Sequence, residues 1–522
     1  MTQTVSQPVP LPVPQPVTQP VLRRIPRQRT SGVPTLIVGA GQAGTSLARD
    51  LHRVSSFGLH PIGFLDDDPR KLSRRYRGTP VLGSVDDLED VLASTGAEVV
   101  VIAIPSMSGS DIHALARRAA RHGARVRHLP PFLAALQREI AGTDMRDLQV
   151  GSLIGRDEMR VVSPGAHAAV AGKRVLVTGA GGSIGSELCR QVYAFGPSEL
   201  VMLDHDESNL HRLHLELWGE ASLDADSVVV ADIRDRERIH QVFRDHRPEI
   251  VFHAAALKHL PVLERHPCEG VKSNVLGTEN LVEAAIAHDA ERFVLISTDK
   301  AANPTSVLGA TKRLGELVLQ AHAGSPTVLS AVRFGNVLGS RGSLLHVIRE
   351  QLASGSQVTV TDPEVTRFFM TIEEAVGLVL ETARMAERTA TYVLDMGEPV
   401  KIVELVQNFA RLLSIPTIDF RFTGLRPGEK LNEELFGDGE EQVPTLHKRI
   451  SMALPPMRVR GFRARLQDLY DAAGHNRPDE VLALLRDLVP EYARATARQA
   501  TERRATERQP VLVAASLYPD DY

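Results

Sequence analysis

Cysteine is scarce in this chain. Cys189 and Cys268 are the only two in 522 residues, far apart and without metal-ligand spacing. A disulfide scaffold is excluded, and two buried apolar thiols in a reducing compartment are expected. Long hydrophobic runs are also missing. None approaches the ~18–20 residues that cross a bilayer, and the longest, Val99-Val100-Val101-Ile102-Ala103-Ile104, reads as a buried strand. The N-terminus lacks the apolar core of a secretory signal. Charge of one sign is not in excess either: the net value of −4 gives no global nucleic-acid signature. These absences predict a cytoplasmic protein with no transmembrane segment, no nucleic-acid partner and no metal centre.

What is present is length and core. A chain of 522 residues with 43% hydrophobic residues predicts two or three well-filled domains. Residues 1–32 stand apart. Pro8, Pro10, Pro12, Pro14 and Pro16 fix φ and remove backbone donors, and the segment turns basic at Arg23, Arg24, Arg27 and Arg29. The composition predicts a disordered extended tail. The sharper reading is a docking segment for a proline-binding protein or an acidic membrane surface. Residues 495–522 are charged and repetitive and read as a C-terminal tail or frayed helix.

Between the tails, strand-like and helix-like segments alternate, the mark of a parallel α/β architecture. The pattern starts twice. Thr35-Leu36-Ile37-Val38 runs into Gly39-Ala40-Gly41-Gln42-Ala43-Gly44, and Arg174-Val175-Leu176-Val177 runs into Gly179 to Gly185. Two strand–glycine turn–helix openings predict two tandem Rossmann-like parallel-sheet domains, at 33–135 and 169–494, joined by a connector at 136–168. In the first, the strand Ile62 to Leu65 ends in Asp66-Asp67-Asp68, where an acid could take a ribose hydroxyl. Nothing after Ile104 resembles a set of catalytic acids and bases, so this domain reads as a binding or regulatory module.

The second opening is richer. Gly179, Gly182 and Gly185 let the backbone approach a pyrophosphate, and Ser183 and Ile184 begin the helix whose N–H groups face it. Asp204 ends the next strand, placed to accept from the adenosine ribose and to repel a 2′-phosphate, which favours NAD over NADP. Asp232, with Ile233 beside it, is placed to contact adenine. Ala254 and Ala255 are small enough for a cofactor to lie against their strand end. Further on, Arg292 to Ser297 delivers Thr298, Asp299 and Lys300 to the carboxyl end of the sheet, and the following helix carries Lys312.

At this point the chain resembles a known family. TGAGGSIGSEL at 178–188, HAAALKHLPVLE at 253–264, STDKAANPTSVLGATKR at 297–313, RFGNVLGSRGS at 333–343, TRFFMT at 366–371 and RPGEKLNEEL at 426–435 are similar to extended short-chain dehydrogenase/reductases. More closely, they resemble the polysaccharide-biosynthesis UDP-N-acetylglucosamine 4,6-dehydratases. The resemblance extends to GFLDDDP at 63–69 and LIGR at 153–156. It implies a smaller C-terminal substrate lobe, a UDP-sugar substrate and tightly held NAD. A sugar C4 is oxidised, the C5 proton and C6 hydroxyl leave, and hydride returns to C6, so one base and one acid must stand within a sugar ring's reach of the nicotinamide.

By the same resemblance Asp299 is the acid at the C6 oxygen, Lys300 the base at C5, Thr298 a partner of the C4 oxygen and Lys312 a holder of the nicotinamide ribose. Asn336 and Arg367 would meet the diphosphate, Arg426 and Lys430 the nucleotide end, and Lys258 the sugar. One position departs from the wider superfamily: Leu308 stands four residues before Lys312, where a tyrosine usually ionises. Asp299 is therefore expected to take the C4 hydroxyl proton and later deliver it to the leaving group. Long relatives begin with membrane helices, whose place the proline-rich tail takes here. A nucleotide-sugar epimerase and a non-catalytic nucleotide-sugar/NAD sensor are the competing readings. A homo-oligomer is expected by analogy.

Overall fold

The computed structural model describes residues 32–53, 58–104, 107, 109–128, 146–147, 163–219, 225–338, 344–353, 356–412, 418–454 and 461–495. The proline-rich tail expected at 1–32, apart from its last residue, lies outside them. So do nearly all of the expected C-terminal tail and the LIGR segment.

The first domain forms a sheet from β1 (Val33–Val38), β2 (Leu59–Leu65), β3 (Thr79–Gly83), β4 (Val99–Ile102) and β5 (Arg125–His128). Helices α1 (Gln42–Arg53), α2 (Leu88–Thr95) and α3 (Gly109–Arg121) connect them. These five strands are parallel in the order β3-β2-β1-β4-β5, with short antiparallel edges at Arg75–Tyr76 and Arg146–Asp147. Within the connector expected at 136–168, Arg146–Asp147 extends the first sheet, and a helix beginning there, at Pro164–Val170, packs on the second domain.

The second sheet follows the same plan on a larger scale. Its strands are β6 (Arg174–Thr178), β7 (Glu199–Asp204), β8 (Val228–Val230), β9 (Ile250–His253), β10 (Arg292–Ile296), β11 (Val328–Arg333), β12 (Ala390–Leu394), β13 (Glu441–Pro444) and β14 (Ile450–Leu454). Their order is β8-β7-β6-β9-β10-β11-β12-β14-β13; the first seven are parallel and the last two antiparallel. Val175 and Val177 enter one core while Leu176 enters the other; Leu295 and Ile296 divide likewise. Both faces are covered, which explains the continuous apolar runs of these strands.

Helices α4 (Ser183–Ala194), α5 (Glu207–Trp218), α6 (Arg236–His246), α7 (Gly277–Ala287), α8 (Val307–Ala321) and α9 (Ile372–Met385) cover the sheet. The apolar stripe of α8, with Val307, Ala310, Leu314 and Val318, packs on a C-terminal helical hairpin, α10 (Phe462–Gly474) and α11 (Pro478–Leu488). A smaller lobe has its own core of Leu338, Val358, Val360, Phe369, Ile402 and Leu405. Its short parallel pair Asn336–Leu338 and Phe369–Thr371 sits just past the carboxyl end of β11. Cys189 and Cys268 are free and buried, and no helix among the described residues is long and apolar enough to cross a membrane.

Candidate active site

In both sheets the strand order reverses beside the first strand, and the crevice at that point is where ligands of such folds bind. In the second sheet Thr178, His253 and Leu295 lie side by side in register on β6, β9 and β10. The glycine turn, the Ala254–Ala255 strand end and the Thr298–Lys300 turn therefore emerge from three adjacent strands. At ~4.8 Å per strand, the last stands about 10 Å from the first, a separation that one dinucleotide spans.

Two glycines of this turn leave no room for a side chain. Gly179 has φ +67°, and a Cβ on it would stand 2.6 Å from the Ala255 nitrogen. A Cβ on Gly185 would stand 2.0 Å from the Gly179 carbonyl oxygen. The turn is thus pressed against both the β9 end and the first turn of α4. Gly182, exposed, precedes that helix, and Ser183 and Ile184 are partly open. Asp204 is buried at the end of β7. Its Oδ2 accepts from the Gly181 N–H at 2.8 Å and its Oδ1 from the Asp206 N–H at 3.0 Å. Each oxygen keeps acceptor capacity for a ribose hydroxyl. These residues fit a bound dinucleotide. Asp232 is less free: Arg234 grips its carboxylate at 2.6 and 2.9 Å and holds its pKa down. Ile233 is buried against Gly277.

Under this crevice lies a histidine that sequence reading missed. His253 bridges the hydroxyls of Thr178 at 2.7 Å and Thr278 at 3.0 Å. Burial, helped by the Lys312 charge, lowers its pKa to about 3, so it is neutral. Lys312 is buried on α8 and donates to the Ile296 carbonyl at 2.6 Å. Burial lowers its pKa to about 8 against the opposing pull of Glu316.

The acid–amine pair is assembled by a cap. Thr298 is the N-cap of a 3-10 turn, Asp299–Ala301, which leaves the following side chains facing the substrate lobe. Asp299 is fully buried; its Oδ1 accepts from the Thr298 hydroxyl and from the Lys300 ammonium, each at 2.9 Å. Its Oδ2 has no hydrogen-bond partner. A Cβ on Gly335 would stand 2.7 Å from that oxygen, so only glycine there leaves room for the carboxylate. Lys300 Nζ also reaches Asn336 Oδ1 at 3.3 Å.

Glu433, not singled out from sequence, completes the cluster. Its Oε1 is 3.6 Å from Lys300 Nζ, its side chain is 3% exposed, and its Oε2 has no partner. Burial works against the Lys300 charge, but Asp299 and Glu433 outweigh it and hold the ammonium above the ordinary lysine range. The only sequence signal for it is its position inside the RPGEKLNEEL stretch.

Other expected contacts fall out differently. Arg367 lies beside the cluster, but its fork is held by Glu429 at 2.8 Å and the Thr366 and Leu431 carbonyls. Lys430 donates to the Ala302 carbonyl, and Thr305 to the Gly428 carbonyl, each at 2.8 Å. These bonds dock the 426–430 loop on the segment that follows the Asp299–Ala301 turn. Arg426 and Lys258 are exposed. Behind the turn, Ser297 donates to Glu316, which pairs with the fully buried Arg333. Arg333 in turn binds Glu440, and Arg313 pairs with both acids. Among the described residues, one group could ligate a metal, Glu279, Glu283 and His322; Glu283 is paired with Arg236.

Residues 175–455 match the model of the polysaccharide biosynthesis protein family, and residues 4–130 match that of a CoA-binding domain. The chain is 40% identical over 432 residues to the probable polysaccharide biosynthesis protein EpsC of Bacillus subtilis, covering 81% of this chain and 72% of that one. It is 31% identical over 278 residues to a UDP-N-acetylglucosamine 4,6-dehydratase (inverting) of Campylobacter jejuni, covering 52% and 80%. It is 32% identical over 276 residues to a UDP-glucose 4-epimerase of Rickettsia rickettsii, covering 51% and 79%.

Proposed function

This chain belongs to the polysaccharide biosynthesis protein family, and from that premise we propose that it is an NAD-dependent nucleotide-sugar 4,6-dehydratase acting on UDP-N-acetylglucosamine. The observation that carries the reading is the cluster of buried Asp299 with half-buried Thr298, Lys300 and Asn336, two strands from the glycine turn. A 4-epimerase needs no acid for a C6 leaving group; this pocket supplies a carboxylate and an amine together.

NAD, held by Gly179, Gly182, Ser183, Ile184, Gly185, Asp204, Ala254 and Ala255, would supply reversible hydride acceptance. The chain's own residues move the protons. Asp299, with an unpartnered oxygen, takes the C4 hydroxyl proton while Thr298 orients that oxygen. No tyrosine is needed, which accommodates the buried Leu308. The C4 ketone acidifies C5, Lys300 removes that proton, and protonated Asp299 delivers its own to the departing C6 hydroxyl. The proton from C4 and the C6 hydroxyl leave together as water.

Mass analysis of UDP-N-acetylglucosamine incubated with the purified chain tests this. Loss of one water supports it. Unchanged mass with a new C4 epimer identifies an epimerase, and no change at all leaves a sensor. We extend the reading to a cytoplasmic, homo-oligomeric enzyme of surface-polysaccharide synthesis, its proline-rich segment docking a protein or membrane surface; sedimentation and vesicle pelleting of the full chain check both points.

A further inference from the structure

A lysine that holds three protons has no lone pair with which to remove a fourth. Lys300 is in that condition. Its ammonium donates to Asp299 at 2.9 Å and Asn336 at 3.3 Å and faces Glu433 at 3.6 Å. The charged groups around it are Asp299 on its own turn, Glu433 from the C-terminal lobe and Arg367 across the pocket. The two carboxylates keep it cationic. It must shed a proton before it can act on a carbon acid, and the pocket offers few places for that proton. Asn336 has no basic site. Asp299 is occupied, because under the function proposed above it already holds the proton from the C4 hydroxyl.

Glu433 remains. It comes from a different part of the chain, and its side chain is 3% exposed with Oε2 unpartnered. Among the described residues its other ion-pair partner is Arg367, whose Nε is 3.8 Å away and whose fork is committed to Glu429 at 2.8 Å. A small rotation of the lysine stem brings 3.6 Å to hydrogen-bond distance.

We propose that Glu433 is the positioning residue that takes the proton Lys300 must shed, so that the base of this pocket is a Lys300–Glu433 pair. The inference rests on the dehydratase reading. The balance closes without an outside reactant. The ammonium gives a proton to the Glu433 carboxylate, leaving a neutral amine and a neutral acid. The amine takes the C5 proton, and the C–H electron pair moves into the C4 carbonyl. As the C6–O bond breaks, Asp299 protonates the leaving oxygen. Once hydride, which the bound cofactor would supply, is back at C6, Lys300 returns a proton to C5, Glu433 returns its own to the amine, and the pair ends as it began. Neutralisation of Asp299 in the first half-reaction weakens the grip on Lys300 and so times the transfer.

Glu433→Gln keeps the shape but cannot take the proton, and two measurements on the full chain decide the matter. Acylation of Lys300 by an amine-selective reagent, followed across pH by peptide mass spectrometry, reads the lysine directly. The Gln variant is expected to move its midpoint down by about one pH unit. With UDP-N-acetylglucosamine, cofactor reduction in the first turnover should be unchanged, while exchange of the C5 hydrogen with solvent deuterium slows about 100-fold. Glu433→Asp should recover part of the exchange. An unchanged lysine midpoint, unchanged exchange, or an equal fall in reduction and exchange overturns the proposal, the last marking a merely structural residue. If the unaltered chain neither reduces its cofactor nor exchanges C5, the dehydratase reading fails instead, and the lysine midpoint alone then decides whether Glu433 governs the Lys300 proton.

Discussion

The two glycine turns of this chain use an acid in the same way and then diverge. Asp66 ends β2 and accepts the Ala40 N–H at 2.7 Å; Asp204 ends β7 and accepts the Gly181 N–H at 2.8 Å. In both domains the acid's first task is to fasten the turn. What differs is the remaining capacity. Lys71 docks on Asp66 Oδ2 at 2.9 Å, whereas Asp204 has only His205 nearby, at 3.2 Å. The floor differs too. Val38 lies opposite Ile102 in the first sheet, and Thr178 opposite His253 in the second. A turn followed by an acid is thus a packing device in both places. Under the proposed function it becomes a reaction site where the neighbouring strand ends bring polar groups and an acid–amine pair.

Four experiments would break or sharpen this contrast. The largest effect is expected from Asp299→Asn, which removes both the proton acceptor and its later delivery. Turnover should fall about 10³-fold, and single-turnover reduction of the cofactor should fall with it. Normal reduction in that variant would return the C4 proton to another base.

Gly179→Ala places a methyl 2.6 Å from the Ala255 nitrogen, whereas Gly41→Ala in the first domain meets open space. The first change should abolish cofactor retention during purification and the second leave it intact. Spectroscopic assay of the cofactor released on denaturation checks both.

Asp204→Asn should weaken NAD about 10- to 100-fold, the equivalent of ~1.5–3 kcal/mol for hydrogen bonds to a charged group. Asp66→Asn should leave that affinity alone and lower the stability of the first domain by ~1–3 kcal/mol. Calorimetric titration and thermal melting separate the two.

The last effect, absent at neutral pH, concerns His253, whose pKa is lowered from 6.5 to about 3. The unfolded chain binds this proton first, so the histidine costs stability progressively as pH falls from 6.5 towards 3. His253→Gln should flatten that acid limb, by about 1.4 kcal/mol for each pH unit crossed within that interval. Denaturation midpoints measured from pH 6.5 downward show it; parallel limbs for the two proteins would show that the histidine is not buried neutral.

Much of this architecture can be read from the chain alone, for a physical reason. Glycine turns, strand-end acids and the Thr298–Lys300 run are local, and their spacing encodes the backbone that presents them. What stays hidden is pairing across long separations. Glu433 reads as an ordinary surface acid until the 426–430 loop docks on Ala302 and Thr305. Arg367 reads as a free phosphate fork until Glu429 is found in it, and Asp66 as a free ribose acceptor until Lys71 is found beside it. Arg333, Glu316 and Glu440 are, one by one, plain charges whose joint burial no periodicity announces. Nor does any local signal set the helical hairpin of α10 and α11 apart from the rest of the substrate domain.

The segment from Glu433 to Glu440 has a consequence for how the protein is made. It carries one carboxylate to Lys300 and another to Arg333, and Arg333 is wholly enclosed. Stripping a partner from an enclosed ion pair costs about 3–5 kcal/mol. On the ribosome, the second domain must wait, with its sheet drafted but unsealed, until residue 440 and the β13–β14 pair behind it have left the exit tunnel. A messenger truncated before that codon would yield one finished domain trailing an open one.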